Sequence, residues 1–450
     1  MGVMLQCFYW DCPRTEGKEY AWWNHLAEKM PEVAGAGFTA LWLPPAGKAA
    51  NIGGMSMGYD VYDYFDLGKH PQKAVVPGEV RTWYGSEEEL KALIATAHGH
   101  RLSVYADLVI NHNNGADAQE YNPILRTERW TRFAPQSGRF PRDWTCFHPS
   151  PYEYGDPGKF GDMPDLCHIN PRVSASILHH ARWMIEEIGF DGFRYDYVKG
   201  FSGWVIRAIH DMEYARNGKK LTIFGVGECW DSDFAIDGWL DSVNAYSANQ
   251  AAAFDFPFRY RLKELCDNDR YSLRDLASGG VLMRDRPYEA VTFVDNHDFR
   301  GEFPEVVRDK MLAYAVILTH EGYPCVFWKD YFAYGLGLPG EPSGIERLVQ
   351  VHERHAGGPS TPLFLDDSCY VLQRDGFAGK DGLILILNSG GEWRRERVKS
   401  RWGATHLTPQ AWRGRDLTFA PEEATTDADG WLEVAAPPRG YVVYAPAGHV

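Results

Sequence analysis

Leu102-Ser-Val-Tyr-Ala-Asp-Leu-Val-Ile110, followed at once by Asn111-His112, is the stretch whose reading decides the fold. A short apolar run ending in a polar cluster reads as a strand buried on both faces, the kind found in parallel sheets covered by helices. The same form recurs at 39–43, 192–197, 223–229, 252–256, 290–295 and 324–328, with 62–67 as a weaker eighth. Between them, 86–98, 174–188 and 309–319 carry helical periodicity, and the first opens on Ser86-Glu-Glu-Glu89, a capping-box pattern. Eight strands interleaved with helices predict an α/β chain built as a (β/α)8 TIM barrel, whose chemistry gathers at the C-terminal ends of the strands.

Outward from the barrel, residues 113–171 form a connection too long for a plain loop, rich in Pro, Gly, Asp and aromatics. They predict a domain inserted after the third strand. A last helix at 343–355 is followed by Gly357-Gly-Pro-Ser360, and then by alternating segments at 370–374, 383–388, 431–434 and 441–444. These predict a C-terminal antiparallel β domain. The expected boundaries are 1–112 and 171–357 for the barrel, 113–170 for the insert and 358–450 for the β domain.

Of the 450 residues, 46 are Lys or Arg and 61 are Asp or Glu, a formal charge of −15, and the mean hydropathy is −0.39. Such a balance repels phosphate backbones and anionic lipid, so neither a nucleic acid nor a membrane is expected as partner. A neutral ligand is favoured, and 16 Trp with 24 Tyr supply flat faces that suit sugars or, equally, a large aromatic core. The eight cysteines contain no C-x-x-C pair and read as buried small hydrophobes. No run approaches the ~20 apolar residues of a membrane span. A soluble monomer is expected, cytoplasmic if Met1 is native and secreted if a leader was removed.

Four predicted strand ends carry polar clusters: Asp107-Leu-Val-Ile-Asn111-His112, Gly192-Phe-Arg194-Tyr-Asp196-Tyr-Val-Lys199, Gly225-Val-Gly-Glu228-Cys-Trp230 and Phe293-Val-Asp-Asn296-His297-Asp298. Arg194 and Asp196 lie two apart on a strand, so they share a face, and the guanidinium should hold Asp196 ionised as a nucleophile. Glu228 ends an apolar, glycine-rich strand, where desolvation should favour its protonated form, as a general acid requires.

These four segments, in this order, resemble the conserved regions of the α-amylase family, glycoside hydrolase family 13. Gly2-Val-Met-Leu-Gln-Cys-Phe-Tyr-Trp-Asp11, Gly58-Tyr-Asp-Val-Tyr-Asp-Tyr-Phe-Asp-Leu-Gly68 and Met163-Pro-Asp-Leu-Cys-His168 are similar to the archaeal and liquefying members in particular. The resemblance implies Asp196 as nucleophile, Glu228 as general acid/base and Asp298 as the carboxylate that grips sugar hydroxyls. It places His112, Arg194, His297 and Tyr59 around the sugar, and Lys199 and Trp230 on the leaving-group side, where Gly200 stands in place of the His of many members. It implies Ca2+ held by Asn111, Asp156 and Asp165 with backbone oxygens of Gly158 and Gly200. Where some archaeal members bind Zn2+ through two His and one Cys, this chain has His148, Glu153 and Cys167; a zinc site stands open there beside a buried thiol and a surface carboxylate. The implied activity is retaining endo-hydrolysis of α-1,4-glucosidic bonds in starch, glycogen or maltooligosaccharides. An exo-acting maltooligosaccharide-forming enzyme, a transglycosylase and an inactive carbohydrate-binding protein on the same scaffold are the alternatives.

Overall fold

The computed structural model describes residues 2–51, 56–74, 76–155, 158–416 and 418–447. Eight parallel strands close a barrel in chain order: β1 (Met4–Gln6), β2 (Ala40–Leu43), β3 (Ser103–Leu108), β4 (Gly192–Tyr195), β5 (Phe224–Gly227), β6 (Ala252–Phe254), β7 (Ala290–Phe293) and β8 (Tyr323–Phe327). The predicted α/β barrel is thus the observed one, with one exchange of strands. Segment 62–67 is not a barrel strand: Val61–Asp63 pairs antiparallel with Lys48–Ala49 outside it. The reason is local. Asp63 accepts the Phe65 amide at 3.0 Å and Asp66 accepts the Gly68 amide at 2.9 Å, so the aspartates fold the segment into turns. The eighth strand is β1, three residues paired parallel with β8 and too short to announce itself as an apolar run.

Two compact units make up the chain. One, Cys7–Glu32 with Ala40–Phe254, holds β2 to β6 and the insert. Within it Tyr105, Ala106, Asp107 and Leu108 pair with Gly192, Phe193, Arg194 and Tyr195, while Tyr195 pairs with Gly227 on β5. The helix Glu87–Gly99 starts at Ser86 with both halves of the expected capping box. The helix Pro171–Trp183 is capped by Asn170, takes Pro171 at its first turn and ends in a π-turn at Met184–Ile188. The insert contributes a hairpin, Ala118–Asn122 with Thr127–Arg132.

The other unit, Met1–Gln6 with Val33–Thr39 and Asp255–Val450, holds β1, β7, β8 and an antiparallel C-terminal β domain. Six strands of that domain run in the order Ser360–Leu365, Cys369–Arg374, Leu383–Asn388, Gly440–Pro446, His406–Arg413 and Ala424–Thr425. A second ladder pairs Arg394–Lys399 with Trp431–Ala436. Val371, Ile384, Ile386, Val398, Leu432 and Val442 pack between them. All eight cysteines are buried free thiols. No helix among the described residues is long and apolar enough to cross a membrane.

Candidate active site

The register of β3, β4 and β5 builds the site. Asp107 and Arg194 are lateral neighbours on adjacent strands, and Asp196 and Glu228 are the next residues beyond the Tyr195–Gly227 pair. Their backbones continue the ladder: the Asp196 amide donates to the Leu108 carbonyl at 3.1 Å and the Glu228 amide to the Tyr195 carbonyl at 2.9 Å. All three carboxylates therefore reach one guanidinium. Arg194 Nη1 donates to Asp107 Oδ1 at 2.8 Å and to Asp196 Oδ1 at 2.7 Å, and Nη2 lies 2.9 Å from Glu228 Oε2.

Arg194 is 1% exposed, whereas Asp196 at 7% and Glu228 at 9% keep an opening to solvent. Asp107 is enclosed, with Trp42 Nε1 and Tyr59 Oη donating to its Oδ2 at 3.0 and 2.8 Å. Burial pushes the Asp107 carboxyl up to about 7, against the pull of Arg194 and of its donors. The Arg194 guanidinium is driven well above its ordinary value by the surrounding carboxylates despite its burial. The Tyr197 amide donates to Glu228 Oε2 at 2.9 Å. Glu228 thus meets two donors on one oxygen, a more polar setting than an apolar strand end suggests.

Tyr59 stacks on Trp10, their centroids 6.1 Å apart and planes 11° from parallel. His112 Nε2 donates to the Tyr59 carbonyl at 3.0 Å, and the ring stacks on Phe160 at 4.7 Å. Burial lowers its pKa, keeping the imidazole neutral. Lys199 Nζ donates to the Trp230 carbonyl at 2.7 Å and lies 3.3 Å from Asp231. In the second unit, the residues after β7 form a turn in which Asn296 Oδ1 accepts the Asp298 amide at 2.9 Å. His297 Nε2 lies 3.3 Å from Asp298 Oδ2, and its Nδ1 is 2.9 Å from Gln6 Nε2. Asp107, Trp42 and Trp10 were absent from the expected set. Asp107 stood in the first polar cluster, but its partnership with Arg194 follows from register alone.

Two groups in the first unit suit metal ions. Asn111 Nδ2 donates to the Gly158 carbonyl at 2.8 Å, and its buried Oδ1 has no hydrogen-bond partner among the described residues. A Cβ at Gly158 would meet the Gly200 carbonyl oxygen at 1.8 Å, and one at Gly200 would meet Asn111 Oδ1 at 2.1 Å. Only glycines allow that approach, which brings oxygens of Asn111, Gly158 and Gly200 together. Asp165, buried, bridges His112 through its backbone. Asp156 lies outside the described residues. Nearby in sequence, ligand atoms of His148, Glu153 and Cys167 lie within 4.8 Å of one another. Burial pushes the Cys167 thiol up, but hydrogen bonds from His148 and Ser150 outweigh it and hold the thiol below its ordinary value.

The family profile described as "Alpha amylase, catalytic domain" matches residues 12–255, and "Alpha-amylase C-terminal" matches 383–445. The chain is 30% identical over 487 residues to the glucan 1,4-alpha-maltohexaosidase of Bacillus sp. (strain 707), covering 96% of this chain and 89% of that one. It is 29% identical over 455 residues to the cytoplasmic alpha-amylase of Escherichia coli (strain K12), covering 87% and 88%. The alpha-amylase of Geobacillus thermoleovorans, solved with acarbose, shares the fold with a TM-score of 0.71 at 20% identity, over 100% of this chain and 98% of that one. The chain belongs to the α-amylase family of glycoside hydrolases, family 13.

Proposed function

We propose that this protein is a retaining endo-hydrolase of α-1,4-glucosidic bonds in starch, glycogen and maltooligosaccharides. The observation that carries the reading is the attachment of Asp196 and Glu228 to neighbouring nitrogens of one buried arginine. That arrangement suits the ~5–5.5 Å carboxyl separation of retaining glycosidases. Asp196 attacks the anomeric carbon while Glu228 gives its proton to the departing glycosidic oxygen. Once Asp196 is esterified its negative charge is gone, so the Glu228 pKa falls and the acid becomes the base that takes a proton from water. The water then attacks from the side the leaving group vacated, opposite the Asp196 ester, releasing the α-anomer and restoring the Asp196 carboxylate.

On this reading Asp298 and His297 bind the hydroxyls of the sugar under attack, His112 and Tyr59 shape its pocket, and Lys199 and Trp230 meet the leaving-group side. Arg194 binds and orients both reacting carboxylates. The α-amylases commonly bind calcium, and Asn111, Asp165, Gly158 and Gly200 offer the hard oxygens it prefers. Calcium there would brace the insert against the ends of β3 and β4. His148, Glu153 and Cys167 form an N, O and S set suited to zinc. Elemental analysis of protein purified without added metal tests that assignment; absence of zinc at one equivalent removes it.

A second reading, an exo-acting maltooligosaccharide-forming enzyme, is favoured by the likeness to a maltohexaosidase. Proton NMR of the first product anomer, together with iodine-colour loss against reducing-end release on soluble starch, tests both. Early α-anomer with rapid colour loss is expected. Early β-anomer would defeat the retaining mechanism, and colour loss that lags behind reducing ends would favour the exo reading.

A further inference from the structure

The antiparallel ladder Arg394–Lys399 with Trp431–Ala436 has two unlike faces. Val398, Leu432 and Val434 point into the core of the C-terminal domain. The other face carries Arg395, Arg397, Glu433 and Trp431, and the chain enters the first strand through Trp393. Both tryptophans are exposed, Trp393 by 49% and Trp431 by 39%. Neither belongs to that core.

Trp393 opens onto a groove of about 420 Å³ that it lines with Arg395, Phe419, Glu422, Glu433 and Tyr444. The edge contact with Phe419, 4.9 Å between centroids at 77°, holds the indole in place. Arg395 and Glu433 form an ion pair at 3.2 Å along the floor. At the far end of the ladder, Trp431 is opposite Lys399, and the Arg397 guanidinium lies 5.3 Å from its ring centroid. Six strand residues of about 3.3 Å each separate the two aromatic ends, a span of roughly 20 Å.

This is the chemistry that recognises a sugar polymer. A pyranose ring offers an apolar C–H face to an indole and a rim of hydroxyls to carboxylates and guanidinium groups, and needs no net charge. Two aromatic platforms on one strip suit a chain of repeated units better than a single small molecule. We propose that this outer face is a second α-glucan-binding surface, anchored by Trp393 and Trp431, which holds the polymer without taking part in bond cleavage. The proposal rests on the α-glucan reading of the active site. By tethering one segment of a long chain, the surface raises the effective concentration of the rest, so its benefit falls on granules and long polymers and not on short oligosaccharides.

The test uses the full chain carrying Asp196→Asn, so that substrate is bound but not consumed, and measures co-sedimentation with insoluble starch granules. Adding Trp393→Ala and Trp431→Ala should weaken granule binding roughly tenfold, as removal of aromatic anchors does. In the active enzyme, the same two substitutions should leave maltoheptaose turnover within about twofold, a readout that also certifies the fold. Granule binding unchanged by the double substitution would overturn the surface. Failure of the unmodified enzyme to hydrolyse soluble starch would instead overturn the α-glucan reading, whatever the granules show.

Discussion

Two buried charge clusters in this molecule are built from the same residue types and do opposite things. Around Arg194, one cation faces three carboxylates, Asp107, Asp196 and Glu228. Beside β7 and β8, two cations face two carboxylates: Lys310 Nζ lies 2.9 Å from Asp295 and 2.5 Å from Asp330, and Arg259 lies 2.6 Å from Asp295. Tyr314 completes the second cluster with a hydroxyl donated to Asp330 at 2.6 Å. The balanced cluster is closed, each charge answered within the fold. The cluster around Arg194 sets three carboxyl groups against one cation at a mouth open to solvent, and any ionised beyond the first is stabilised by whatever positive centre arrives. An oxocarbenium-like sugar is such a centre. Burial alone therefore does not separate structural from catalytic ions; the balance of charge does.

If that contrast is sound, neutralising the unbalanced cluster should abolish chemistry and spare the fold. Asp196→Asn or Glu228→Gln should lower kcat on soluble starch by at least roughly a thousandfold. The melting temperature should stay within a few degrees, as followed by circular dichroism. Near-normal turnover in either purified variant would break the comparison at its first member. The second member answers to Lys310→Met, which strands Asp330 with only a tyrosine beside it. Loss of one partner of a buried pair costs roughly 3–5 kcal/mol, read as a shift in urea unfolding. A loss below about 1 kcal/mol would show that the balanced cluster contributes little to stability.

How much of this was legible beforehand depended on the range of the interaction. Apolar runs such as 102–110 disclosed seven of the eight barrel strands, and the Ser86 cap disclosed a helix start, because both are set by neighbours in sequence. Met4–Gln6 escaped because three residues carry no period, and Arg394–Lys399 escaped because only Val398 in that charged strand turns fully inward. The Arg194–Asp196 contact was legible from a spacing of two. The role of Asp107 was not, since it depends on which residue of β4 lies beside it, and the polar contacts of Glu228 were hidden for the same reason: Arg194 reaches it from the neighbouring strand.

A gathering of oxygens around one place recurs at Asn111 and Asp165, where a cation would complete the set. Chelation with EDTA should lower the melting temperature and added Ca2+ should restore it; at 100 times Kd, a bound ion contributes ~2.7 kcal/mol. Asp165→Asn should abolish the calcium dependence. A wild-type transition unmoved by full demetallation would show this group to be closed like the Lys310 cluster.

The finest distinction between the two clusters lies in pH. Burial raises the carboxyl of Asp107 from 3.8 to about 7 and that of Asp330 from 3.8 to about 6. A carboxyl raised on folding binds protons in the native chain that the unfolded chain has already released. Its contribution to stability is complete below pH 3.8 and is lost as pH rises through the folded value. Asparagine cannot make that loss. Stability of Asp107→Asn relative to wild type should therefore climb from pH 4 and level off near 7, whereas the climb for Asp330→Asn should end near 6. Urea midpoints taken at unit steps from pH 4 to 8 resolve the two plateaus. Parallel curves with no climb would mean that both carboxylates stay ionised in the fold, and that excess charge around Arg194 is held by its donors and not relieved by a proton.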